Sequence, residues 1–306
     1  MRQPTRHHPA SVPADEAVAA RVQPKTPDDA VDSRATRKQM AYVGAVYTIA
    51  RHVRTADQVV DELQRHQCAQ GRPRPCHKRV WAEMTTVVEG EECNGRVTLF
   101  DHLAEERRQR DGKREKPTIC LLDGERALWE VRKEFFPDAV GILDLFHVME
   151  RLWDAAHCFH PVKSAAADAF VTERLRMLLE GKVGYVIGGL RQMATKQGLK
   201  GTKFRELQKV LTYFRNNRKH MKYDEYLAAG YPIGSGVAEG ACRHLVKDRM
   251  EQTGMRWKLE GAQSLLHLRA AYLNGDWKAF VDYRIHKEQK QLYGERAQEP
   301  TYTTAV

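Results

Sequence analysis

No apolar run in the 306 residues approaches the roughly 20 that a membrane-spanning helix needs, so a spanning protein and a membrane partner are excluded. The N-terminus, MRQPTRHHPASVPADEAVAA, carries basic residues but no apolar stretch of the secretory kind. Cysteine is sparse. Six residues (68, 76, 93, 120, 158, 242) lie scattered along a long chain and read as reduced thiols of a cytoplasmic protein, not as a disulfide framework. No internal repeat occurs at a fixed period, and Gly188-Gly189 sits in no phosphate-loop pattern. His66, Cys68, Cys76 and His77 have the ligand types of a zinc site but not the spacing of a finger, and an Arg/Pro-rich loop explains them as well.

The chain does carry basic charge. Fifty Lys and Arg face 40 Asp and Glu, a formal +10. That excess favours a polyanionic partner, nucleic acid first. With 42% hydrophobic residues there is enough for a real core, so wholesale disorder is excluded.

Residues 1–38 mix Pro, His, Asp, Arg and Ala without apolar periodicity and are expected to form a disordered leader. Order is expected from Met40. MAYVGAVYTIA (40–50) reads as a buried strand, and Thr55 caps a helix whose apolar face is Val59, Val60 and Leu63. After the loop 67–77, residues 78–88 read as one strand and 97–110 as a helix. PTICLLDGE (117–125), ERALWEVRKEFFP (125–137) and AVGILDLFHV (139–148) form the clearest unit, an apolar strand, an amphipathic helix and a second apolar strand. Two such strands joined by a helix imply a parallel pair. From Met149 to Leu227 only helical patterns occur. The turn YPIGSG (231–236) opens another helix, 259–275 a further one, and residues 286–306 read as a polar tail. The expected organisation is an α/β core at 39–148, an all-helical insertion at 149–230, and helices at 231–285 that return to the core.

Three acids stand at places where chemistry gathers in α/β folds. Asp123 ends a buried strand before Gly124, a position that suits a catalytic carboxylate and equally a helix-capping one. Asp144 ends the next strand, with His147 three residues on. Glu239 falls in the second turn of a helix that Ser235 can cap, with Ala238, Cys242, Leu245 and Val246 as its buried stripe. Arg243, at i+4 from Glu239, would form either a plain surface ion pair or part of a site, with Lys247 one turn further. Converging carboxylates are what paired divalent ions need for phosphodiester chemistry. Arg72, Arg74 and Arg79 are candidate phosphate contacts, and Trp257, after Arg256, is either a core residue or a base-stacking one. The basic run 215–222 fits a DNA backbone or a solvated helix end.

Several stretches match a known group: RKQMAYVGAVYTI (37–49), RTADQVVDEL (54–63), KRVWAEM (78–84), LLDGERALWEVRKEFFPDAVGILDLFHVMERLW (121–153), PIGSGVAEGACRHLVKDRMEQTGMRW (232–257) and LRAAYLNGDW (268–277). Through them the chain resembles the DDE transposases of ISKra-type bacterial insertion sequences, relatives of the Mutator-like group, over residues 37–280. The resemblance implies an RNase H-like core with an all-helical insertion. It implies metal-dependent cleavage and transfer of DNA strands, Mg²⁺ or Mn²⁺ held by Asp123 and Glu239, and supporting roles for Asp144 and His147. Arg72, Arg74, Arg243, Lys247, Arg256 and Trp257 stand beside it as the candidate DNA contacts, and the resemblance further implies work as a homo-oligomer at the nucleoid. One expected feature has no match. The first catalytic Asp should end a central strand before residue 40, yet none of Asp15, Asp28, Asp29 and Asp32 follows an apolar run. The expectation is therefore an N-terminally truncated copy with its central strand missing, inactive or nearly so by itself, or a remnant that binds DNA without cutting it.

Overall fold

A computed structural model describes residues 39–65, 71–88, 90–252 and 254–294. The leader 1–38, the pair His66 and Cys68, and the end of the polar tail lie outside them. The described residues form one compact unit of mixed α/β class, mostly helical with small sheets.

Strand β1 (Ala41–Thr48) pairs antiparallel with β2 (Cys76–Met84), with Ala41 opposite Met84 and Ala45 opposite Val80. Helix α1 (Ala56–Arg65) lies between them in sequence. Its entry is a reciprocal cap: the Thr55 backbone N–H donates to Gln58 Oε1 (2.8 Å), and the Gln58 backbone N–H donates to Thr55 Oγ1 (3.2 Å). The expected single strand at 78–88 is in fact two. The chain breaks at Thr85, and β3 (Thr86–Val88) turns through Gly90, at φ +89°, to pair with β4 (Glu91–Cys93). Helix α2 (Gly95–Arg110) follows, its first turn capped by Asn94. Strand β5 (Ile119–Leu122), helix α3 (Arg126–Phe135) and strand β6 (Val140–Leu143) form the expected unit, and β5 and β6 pair in parallel.

The alternation of β1 and β2 places Val80, Ala82 and Met84, with Ala41, Val43 and Ala45, against a helical layer: Ala241, Leu245, Ala262, Leu266 and Ala270. That layer comprises α9 (Gly236–Cys242), a π-helical turn (Arg243–Lys247), the short α10 (Asp248–Met250) and α11 (Leu259–Leu273). These C-terminal helices thus pack on the β1–β2 pair. The other face meets α2, where Gly44 leaves room for Leu99 and Leu103. Helix α2 reaches both strand pairs, because Phe100, Leu103 and Ala104 also pack with Cys120 and Leu122 of β5.

Beyond β6 come α4 (Leu145–Phe159), α5 (Ala165–Leu179), α6 (Val183–Lys196), α7 (Gly201–Asn217), a 3₁₀ turn (Arg218–His220) and α8 (Tyr223–Ala228). These share a continuous core with β6 and α1: Ile142, Leu143, Val148, Leu152 and Phe214 are buried together with Val59 and Val60. The boundary expected at 148/149 therefore falls inside α4. Residues 286–293, expected in a polar tail, belong to α12 (Trp277–Tyr293), a solvent-facing helix braced by Lys278–Asp282 (2.6 Å) and Arg284–Glu288 (2.7 Å).

The backbone edges of the two strand pairs are treated differently. Outward groups of β2 bond to side chains of α11 and its C-cap: the Val80 N–H and C=O to Asn274 (2.8 and 2.9 Å), and the Met84 N–H to Gln263 Oε1 (2.7 Å). Outward groups of β6 are also met. The Leu143 carbonyl accepts from the Tyr223 hydroxyl (2.8 Å), and the Leu145 N–H donates to the Ile233 carbonyl (2.9 Å). The opposite edges, those of β1 and β5, pair with no strand among the described residues. An unpaired strand edge is a template for another strand.

Candidate active site around Asp123, Asp144 and Glu239

Asp123 leaves the end of β5 and closes the turn into α3. Its Oδ1 accepts the Glu125 backbone N–H (2.8 Å), and its carbonyl accepts the Trp129 indole N–H (2.8 Å). This bond closes the turn ahead of α3, whose N-cap residue is Glu125, so Asp123 itself does not cap the helix. Gly124 is required by the approach of α7: a Cβ there would stand 2.0 Å from Cε2 of Tyr213. Burial, and then the Asp123 carboxylate, push the Tyr213 phenol up to about 12. The Arg151 guanidinium lies 5.4 Å from the centre of the same ring. Tyr213 was not legible as a site residue, and the only signal for it is the glycine that makes room.

Asp144 is buried, only 1% exposed. Its Oδ1 accepts the N–H of Phe146 (3.1 Å), capping α4, and the N–H of Ser235 (3.3 Å), while its Oδ2 accepts the Ser235 hydroxyl. The serine read as a side-chain cap of the Glu239 helix makes no such cap. Its hydroxyl turns to Asp144 instead, because a buried carboxylate needs donors more than an exposed helix end does.

Glu239 sits in α9, where its N–H bonds to the Ser235 carbonyl (3.0 Å). Partial burial raises its carboxyl above the usual range, and the Asp144 carboxylate raises it further; His147 opposes this. His147 itself lies 3.2 Å from Glu150. Glu239, Asp144, His147 and Glu150 therefore share one field at the start of α4, and Tyr213 feels both Asp123 and Asp144. The expected buried stripe is shifted. Leu245 is buried as expected, but Ala238, Cys242 and Val246 are only partly so, and Ala241 is buried in place of Cys242. Arg243 pairs with Asp248 (3.8 Å), not with Glu239.

Among the described residues no group of three or more His, Cys, Asp or Glu side chains is arranged to hold a metal ion. Two carboxylates would leave most of the octahedral positions of Mg²⁺ to water, so the described residues do not complete a two-ion centre. The five described cysteines are free thiols, and Cys76 donates to the Thr48 carbonyl (3.3 Å). The other half of the suggested zinc set, His66 and Cys68, lies outside the described residues.

Of the candidate DNA contacts, Arg74, Lys247 and Arg256 are exposed. Trp257 is 43% exposed and so is not a core residue. Arg72 pairs with Glu62 (3.3 Å). Arg79 is not free for phosphate, being held by Asp276 (2.5 Å) and Glu106 (3.4 Å). No helix among the described residues is long and apolar enough to cross a membrane. No protein-family profile, no curated protein and no solved structure matches the chain.

Proposed function

We propose that the chain is a DNA-binding protein of the insertion-sequence transposase class, whose chemistry is DDE-type, metal-dependent cleavage and transfer of DNA strands. The observation that carries the reading is the pair of two-stranded units β1–β2 and β5–β6. Their outer edges are capped, their other edges pair with no strand among the described residues, and α2 packs on both. An RNase H-like sheet would place a central strand and its acid between these pairs. Asp123 ends one open-edged strand, and Glu239 rides on a helix packed over the other pair. These two are the carboxylates that would hold Mg²⁺ or Mn²⁺, which would supply charge stabilisation at the scissile phosphate. Asp144 positions the Ser235 turn from which the Glu239 helix springs, and His147 lies beside it. DNA is the partner, the site of action is the nucleoid in the cytoplasm, and a homo-oligomer is the working form.

A second reading has its own support. With no three-ligand group among the described residues, the chain alone would bind DNA without cutting it. Incubation with supercoiled plasmid and Mn²⁺ separates the two. Nicking lost in both Asp123→Asn and Glu239→Gln supports the transposase reading, and retention without nicking supports the binding-only one. Nicking that survives both substitutions overturns the assignment of the acids, and failure to bind overturns both readings.

A further inference from the structure

A groove with a cavity volume of 770 Å³ opens between α3 and α7, beginning at Gly124 beside Asp123. Arg126 and Lys133 stand on its α3 wall. Arg205 and Lys209 stand on the α7 wall, and Lys219 closes the far end. Five cations thus face a single carboxylate, Glu130, which Lys133 already holds at 2.8 Å. Arg126, Arg205 and Lys219 make no ion pair with any described residue. Neutral donors, Gln208, Thr212 and Asn216, fill the spaces between the α7 cations. Lys209 is held by Glu206 (2.8 Å) as Lys133 is by Glu130, much as acids hold Lys278 and Arg284 on α12; what distinguishes this wall is its concave surface and the three cations left unpaired on it.

We propose that this groove binds a nucleic-acid backbone, running from the Asp123–Gly124 turn along α7 to Lys219. The proposal rests on DNA being the partner of the Asp123 site and adds a path for its phosphates. The fourteen steps from Arg205 to Lys219 span about 21 Å at the helical rise, and one strand of a duplex advances about 3.4 Å per phosphate, so the row covers about six. That length suits an extended polyanion better than a single phosphate. Lys219 also borders a second depression, where Arg215 and Arg218 continue the positive row past the end of α7, while Lys222 is held by Glu225 (3.2 Å) and Asp224 lines the far side.

The test is equilibrium binding of a fluorescent 20-base-pair duplex by the full chain in EDTA, across a salt series. The triple variant Arg205→Glu, Lys209→Glu, Lys219→Glu is compared with Lys287→Glu, Lys290→Glu on α12. All five side chains are exposed, and a thermal melt confirms the fold of each variant. The groove variant is expected to weaken binding at least tenfold and to flatten the log–log salt slope by about 2.7, from three lost phosphate contacts. The α12 variant should keep the wild-type slope. A groove variant with the wild-type slope overturns the groove alone and leaves the Asp123–Glu239 reading standing. A wild-type chain that binds no DNA overturns both.

Discussion

Replacing Asp144 by Ala removes one acceptor and strands three donors: the Phe146 N–H, the Ser235 N–H and the Ser235 hydroxyl. Loss of the α4 cap is worth about 1 kcal/mol. The Ser235 turn is half-buried, so water replaces its two bonds in part, at about 1 kcal/mol each. The expected loss is therefore about 3 kcal/mol, or about 6–12 °C in Tm for a chain of this size. Asp144→Asn is a sharper companion. Its remaining oxygen can serve both backbone donors and its amide can donate to the Ser235 hydroxyl, so a loss of about 1 kcal/mol is expected. Urea unfolding followed by far-UV circular dichroism measures both. An alanine variant within 0.5 kcal/mol of wild type, the usual scatter of surface substitutions, would refute the positioning role. So would an asparagine variant as damaged as the alanine one.

Gly95→Ala would place a Cβ 2.5 Å from the Met84 carbonyl carbon; backbone cannot yield as a side chain does, and a loss of about 2–3 kcal/mol is expected in the same assay. His220 and His267 should titrate in opposite directions in an NMR pH series. Burial holds His220 down to about 4, so its contribution to stability is lost as pH falls from about 6.5 towards that value. A hydrogen bond to buried Glu83 raises His267; its contribution is full below about 6.5 and is lost as pH rises through the raised value, and Glu83→Gln should remove the shift. Burial pushes the Cys120 thiol up to about 11, so under native conditions Cys76 and Cys93, both exposed, should react with a thiol reagent well before it.

Where local pattern and tertiary environment agree, the sequence was readable. The run 117–148 announces β5, α3 and β6 because buried parallel strands are continuously apolar, and Thr55 announces the start of α1. Failures fall where a side chain has a choice. Ser235 has the right type for a cap, but the buried Asp144 competes for its hydroxyl. The stripe Ala238/Cys242 assumes that this face meets the strands, whereas Ala241, one position away, is the α9 residue buried against them. The segment 286–293 looks like a tail because nothing in it is apolar on one face; it continues α12, and only Glu288 in it joins an i,i+4 ion pair, with Arg284. At the candidate site, Asp123, Asp144 and Glu239 were visible as acids at element ends. Tyr213, which lies over the Asp123–Gly124 turn, comes from ninety residues away in the chain, and no local pattern marks it.

The central claim is that nucleic acid is the ligand of this chain, and the salt dependence of duplex binding by the wild-type protein tests it most directly. The account predicts binding in EDTA that weakens steeply between about 50 and 200 mM salt, with a log–log slope of about −3 or steeper from at least three phosphate contacts. Binding that is absent, or that does not change across that range, would contradict it.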